Sequence, residues 1–313
     1  FFVNNKLIAM LLSAIIASGL IYTHPAFAHN FGGDESASWL AKMAEIRTEV
    51  SIVAKHVGDK GAIDYYSDAL GEYWNANDTR EMGERNTLLA TEIPSTINAT
   101  LADAQKTGNE SVVNDDITKL NGYLDESIPV RVDKDKLNNS TVQALAVVFV
   151  LKESLEKYGD AINSTVDLND MSQMNMSGDH MSGMSNGSSM PSTIVDQNKY
   201  ENSIGLATAA QNVFTDLAAK NTDKSDANTK ISAALTKLIQ DLNNKANANT
   251  IMTDAHVNLH PVLISTYNVQ EASESKTGYT IPPVPEFPLP AILIVVSIAG
   301  VVVATRFRPR LGF

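Results

Sequence analysis

Trp39, Met43, Ile46, Val50, Val53 and Val57 recur at alternating spacings of four and three, which places all six on one stripe of a helix. Asp34 or Ser36 is positioned to cap its start and Gly58 to end it. Ile63, Tyr66, Leu70 and Tyr73 predict a second helix, with Asn75 to Asn77 as the turn that follows. Asp78 and Glu81 read as a capping pair, beyond which Met82, Leu89, Ile93, Ile97 and Leu101 continue a helical stripe kinked at Pro94. Val113, Ile117, Leu120 and Leu124 predict a shorter helix that stops before Pro129. Ser140 or Thr141 opens the next, with Leu145, Val148, Leu151, Leu155, Tyr158 and Ile162 on one side. Over 144–151 that helix is apolar nearly all round, which predicts a deeply buried element, and Lys152 and Glu153 follow too soon for it to span a bilayer.

Over 160–193 the periodicity vanishes and Asn, Ser, Gly, Asp and Met take over, a composition with little to bury. Three more helices are predicted after it. They are marked by Tyr200, Ile204, Ala207, Phe214 and Leu217, by Ile231, Leu235, Leu238 and Leu242, and by Met252, Ala255 and Leu259. The stretch 262–269 reads as extended. The expected fold is therefore all-α, with one helical bundle in 29–163 and a second in 197–270, joined by a Met-rich disordered linker over 164–196.

The two ends read as addresses. Lys6, an apolar run from Leu7, and Ala26-Phe27-Ala28 form the pattern of a secretory signal peptide over 1–28. Residues 289–305 carry no charge and are near the lower length limit for a transmembrane helix. Arg306, Arg308 and Arg310 follow, so the positive-inside rule puts the tail 306–313 in the cytoplasm and the rest outside. Between lies a Pro-rich stalk, 271–288, containing Pro285-Glu286-Phe287. This tripeptide, the apolar segment and the arginine cluster together resemble the PEF-type C-terminal sorting signal of archaeal surface proteins. The resemblance covers about the last 30 residues. It implies an exported protein held at the cell surface, anchored to the membrane or cell envelope, with an archaeosortase-like enzyme as processing partner.

Composition narrows the chemistry. The 313 residues include no cysteine, which removes disulfides, thiolate metal sites and cysteine nucleophiles together. Apolar residues make up 43% but aromatic ones only 6%, a balance that suits a helical core. With Lys6, the three terminal arginines and Glu286 set aside, 20 basic residues face 35 acidic ones. A surface of that sign repels nucleic acid and attracts cations. Export also makes glycosylation plausible at sequons such as Asn77, Asn98, Asn109, Asn138, Asn139 and Asn163.

Three places could carry chemistry. Met171, Met174, Met176, His180, Met181, Met184 and Met190 crowd a segment too polar to use methionine as core filler. Thioether sulfur is a soft ligand that selects Cu(I) and needs no deprotonation. The His180-Met181-Ser-Gly-Met184 stretch resembles the Met-rich motifs of exported copper-resistance proteins, which implies copper capture by these residues. The plainer alternative is a low-complexity linker whose methionines act as an oxidant sink. His256 and His260, one turn apart with Met252 one turn earlier, could converge on one cation, although Pro261 disfavours helical geometry at His260 and capping or surface roles are the simpler reading. His29 becomes the N-terminus if the signal is cut after Ala28, and then resembles one half of the histidine brace of copper proteins.

No Gly-x-Ser-x-Gly elbow, His-Glu-x-x-His helix, P-loop or dinucleotide fingerprint occurs, so no catalytic function is expected. Tyr65-Tyr66, Ala69, Tyr73, the stretch 157–162 and the stretch 199–204 are faintly similar to the helical repeats in extracytoplasmic parts of iron-permease and imelysin-like proteins. That likeness implies an all-helical extracytoplasmic fold. The expected function is metal binding at an archaeal cell surface, copper first. The alternatives are a glycosylated envelope interaction module and an iron-transport accessory domain using carboxylates and histidines.

Overall fold

The computed structural model describes residues 35–169 and 191–269, and every regular element among them is helical. The signal peptide, His29, the methionine segment from Met171 to Met190, the stalk, the membrane helix and the tail lie outside the described residues. Among the described residues no helix is long and apolar enough to cross a membrane.

Helix α1, Glu35–Val53, carries the predicted stripe, but it is buried well beyond that stripe. Trp39, Met43, Ile46, Val50 and Val53 enter one hydrophobic cluster with α2 (Lys60–Tyr73), α3 (Ala76–Gly83), α4 (Thr87–Ala104) and α5 (Glu110–Arg131). Ala41 and Ala44, on other sides of the same helix, enter a second cluster. That cluster is built from α7 (Ser140–Ala161), α8 (Gln197–Lys220), α9 (Ser225–Asn243), α10 (Ala248–Met252) and α11 (His260–Tyr267). A four-residue helix, α6 (Lys134–Leu137), precedes α7. A helix with apolar groups on opposing sides is a central element, and α1 joins the two cores.

The expected partition into one bundle before the methionine segment and one after it differs from this packing. Helix α7 precedes the segment and α8 follows it, yet these two make the most extensive helix pair among the described residues. Val147, Val150, Leu151 and Leu155 of α7 and Leu206, Ala207, Ala210 and Phe214 of α8 all have no more than 1% exposure within one core. Apolar residues on nearly every side of α7 leave it unsatisfied by a single neighbour, so it recruits the longest helix that follows. The deep burial predicted for α7 agrees with this arrangement.

Local rules account for the boundaries. Asn75, rather than Asp78, caps α3: its side-chain oxygen accepts from the Asn77 and Asp78 amides, while Asp78 accepts from the Asn75 amide. Asp78 therefore sits at the third helical position of a reciprocal capping box. Asn139 caps α7 one residue ahead of the expected start, accepting from Thr141 and Val142. Gly58 ends the turn after α1 at φ +88°, where a side chain would be strained, and its N–H reaches Ala104 O at 2.7 Å. Helix α5 does not stop before Pro129 but continues to Arg131, because the proline falls within the last turn, where few ladder bonds remain to lose. The stretch 262–269, expected to be extended, is helical to Tyr267, and Asn268 closes it in the left-handed region.

Candidate functional site: a buried histidine pair at the root of the methionine segment

Between α10 and α11 the backbone widens into a π-helical turn over Thr253–Leu259. A wide turn of this kind relaxes the ladder ahead of a proline, and such turns recur at functional positions. His260 is helical here (φ −53°, ψ −49°), contrary to the expectation drawn from Pro261. The two histidines are not surface or capping residues either: His256 is 3% exposed and His260 1%.

The rings meet edge to face, with His256 Nδ1 and His260 Nδ1 3.2 Å apart. His256 Nε2 lies 2.6 Å from the carbonyl oxygen of Leu168. A carbonyl only accepts, so His256 Nε2 carries a hydrogen. In a neutral pair His256 Nδ1 is then the acceptor, His260 Nδ1–H the donor, and His260 Nε2 a bare lone pair. That last nitrogen is buried without a hydrogen-bond partner. Burial first, and then the neighbouring His256 and Lys152, push the His260 pKa down from 6.5 to about 3, so this ring is uncharged at neutral pH.

Leu168 is itself buried, and it stands three residues before Met171. The other end of the segment is also tied down. The Ser192 amide donates to Lys245 O at 2.6 Å, and Val195 and Asp196 both donate to Ala161 O, the end of α7. Residues 170–190 are thus the part of an excursion between two adjacent helices that lies outside the described residues.

The donor set fits a copper ion in part. An orphaned imidazole nitrogen is a ligand in search of an acid, and imidazole suits copper and zinc alike. The two Nδ1 atoms are engaged with each other, so His260 Nε2 is the ring nitrogen of the pair left to bind a metal. Among the described residues, however, no three His, Asp or Glu side chains form a group able to hold a metal. Met252 is buried one turn before His256.

A second buried cluster was not visible in the sequence reading. Glu45 and Glu49 sit one turn apart on α1, 9% and 0% exposed. Desolvation by burial, reinforced by Glu153 on α7, pushes both up from 4.5 to about 8. On α7 the Lys157 ammonium is 2.9 Å from Glu153, and Tyr73 of α2 donates to the same carboxylate at 3.1 Å. Asn202 of α8 is fully buried beside Glu49. Its amide favours the charged form of that carboxyl, yet neither oxygen of Glu49 nor either polar atom of Asn202 forms a hydrogen bond of acceptable geometry. The available signal was a pair of acids four apart, inside the apolar run that contains Met43, Ile46 and Val50.

No family model, curated protein or solved structure matches the chain.

Proposed function

We propose that this is an exported, surface-attached helical protein that binds copper as Cu(I) through the thioethers of Met171, Met174, Met176, Met181, Met184 and Met190 with His180, without catalytic turnover. The archaeal cell-surface setting rests on the sorting-signal resemblance at Pro285-Glu286-Phe287. The observation that carries the copper reading is the anchorage of Leu168 by His256, which fixes the start of the methionine segment against an imidazole pair holding a spare nitrogen. His260 Nε2 would supply an imidazole ligand, and the thioethers a soft environment that holds the monovalent ion without loss of protons. The helical scaffold contributes position: Leu168 before the segment is held by the His256 ring, and Ser192, Val195 and Asp196 after it by backbone hydrogen bonds to Lys245 and Ala161.

Competition for Cu(I) against a chelating dye tests the reading. Joint replacement of Met174, Met176, Met181 and Met184 by Leu is expected to weaken binding by about tenfold or more, the loss expected when soft ligands are removed from a site of few donors. Undiminished affinity in that variant refutes the thioether site. A chain that leaves Cu(I) with the dye refutes the copper reading as a whole.

A further inference from the structure

The interior cluster on α1, α7 and α8 is independent of the methionine segment. Four polar side-chain atoms are left without partners there, and all four belong to two facing residues, Glu49 and Asn202. Native interiors rarely leave such atoms orphaned, and two complete side chains orphaned against each other indicate something polar between them. Three of the four are oxygens able to accept, and one is a nitrogen able only to donate. Acceptors thus outnumber the single donor three to one, which favours a cation at the oxygens over an anion.

Charge sets its valence. Within the interior Glu45, Glu49 and Glu153 supply three carboxyl groups against the single ammonium of Lys157, Glu72 being exposed to solvent at the edge of the cluster. Lys42, the other cation facing Glu45, is engaged at 2.6 Å by Asp78. A divalent ion balances the remainder. Oxygen donors of carboxylate and amide type prefer hard ions, and a small divalent ion keeps several waters while using only one or two carboxylates. That requirement is compatible with the lack of a three-acid group among the described residues.

We propose that Glu49 and Asn202, with Glu45 one turn away, form an interior site for a hard divalent cation of the magnesium or manganese class. The groups facing the pair are Lys42 on α1, Glu72 and Tyr65 on α2, and Glu153 and Lys157 on α7. Of these only the two lysines favour the ionised form, so a proton or a cation must occupy the acids whenever the helices close.

The probe is Mn(II) added to the metal-free full chain at about 0.15 M salt, followed by calorimetry in two buffers of different ionisation heat. At that ionic strength weak binding to the acidic exterior is screened. The expected result is one equivalent bound with proton release at neutral pH, and affinity about tenfold or more weaker at pH 6 than at pH 8.5, because protons compete. Glu49→Gln and, separately, Asn202→Leu are each expected to abolish that equivalent while circular dichroism shows an intact fold. Binding that is pH-independent or survives both substitutions overturns the proposal, as does the absence of any Mn(II) binding. The quadruple Met→Leu chain should bind Mn(II) unchanged, so failure here and failure of the copper reading are distinguishable.

Discussion

His256 and His260 stand four residues apart on one stretch of helix, and so do Glu45 and Glu49. Both pairs are withdrawn from water. The histidine pair is held by the backbone: one ring donates to Leu168 O, the rings bond each other, and only His260 Nε2 is left over. The Glu49 carboxyl has no partner at either oxygen, and the amide facing it has none either. Imidazole can leave its charge behind and still chain donor to acceptor, whereas a carboxylate has no neutral state except by keeping a proton. Identical spacing thus yields a hydrogen-bonded pair with one nitrogen to spare in one place and a wholly unpartnered carboxyl in the other.

The sharpest way to expose this difference is the pH dependence of stability. For Glu45 and Glu49 the folded values near 8 lie above the usual 4.5, so the folded state holds protons that the unfolded chain has lost. Their contribution is complete below pH 4.5 and disappears as pH rises towards 8. Urea unfolding should show a loss on the order of a few kcal/mol across that window, largely removed in the Glu45→Gln, Glu49→Gln double variant. His260 works in the opposite sense. Its folded value of about 3 lies below 6.5, so its contribution is complete above pH 6.5 and is lost as pH falls towards 3. One group rather than two makes this the smaller effect, and His260→Phe should flatten the acid side by roughly 1–3 kcal/mol.

Replacing His256 by Leu tests whether its role is anchorage. With the Leu168 carbonyl left unpartnered in a buried setting, stability should fall by about 1–2 kcal/mol and protease should cut sooner in the stretch just before the methionine segment. The smallest change is expected at a pair outside both clusters. Arg47 and Asp125 form an exposed ion pair at 2.6 Å, and Asp125→Asn should alter the unfolding midpoint by less than about 1 kcal/mol equivalent.

The helices themselves were largely legible, because a stripe such as Trp39, Met43, Ile46, Val50 and Val53 declares a period of 3.6 whatever it packs against. The partner of a stripe is less legible. Helix α7 was apolar enough to be recognised as central, but nothing local says that its neighbour lies across an interruption of more than 30 residues. Pro261 and Pro129 misled for the same reason: each removes one ladder bond, and a π turn or a last turn absorbs that loss without ending the helix. Of the candidate residues, the histidine pair was found by spacing alone, yet its burial depends on Leu168 folding back over it. Glu45 and Glu49 went unremarked because acids at helical spacing usually face solvent, and only the double-sided packing of α1 turns them inward.

That double-sided packing also fixes how closely α8 must approach α1. At Gly205 an added Cβ would fall 2.8 Å from Thr48 Cγ2 and 3.0 Å from Ile52 Cδ1, so the crossing tolerates no side chain. The chain leaves α7 and returns to begin α8 at a single point, Ala161 O, which receives both Val195 and Asp196. Cleavage of the backbone within 170–190 would therefore release no domain. The two fragments would remain docked as a non-covalent heterodimer sharing one interior, and separately produced halves should reconstitute the fold on mixing.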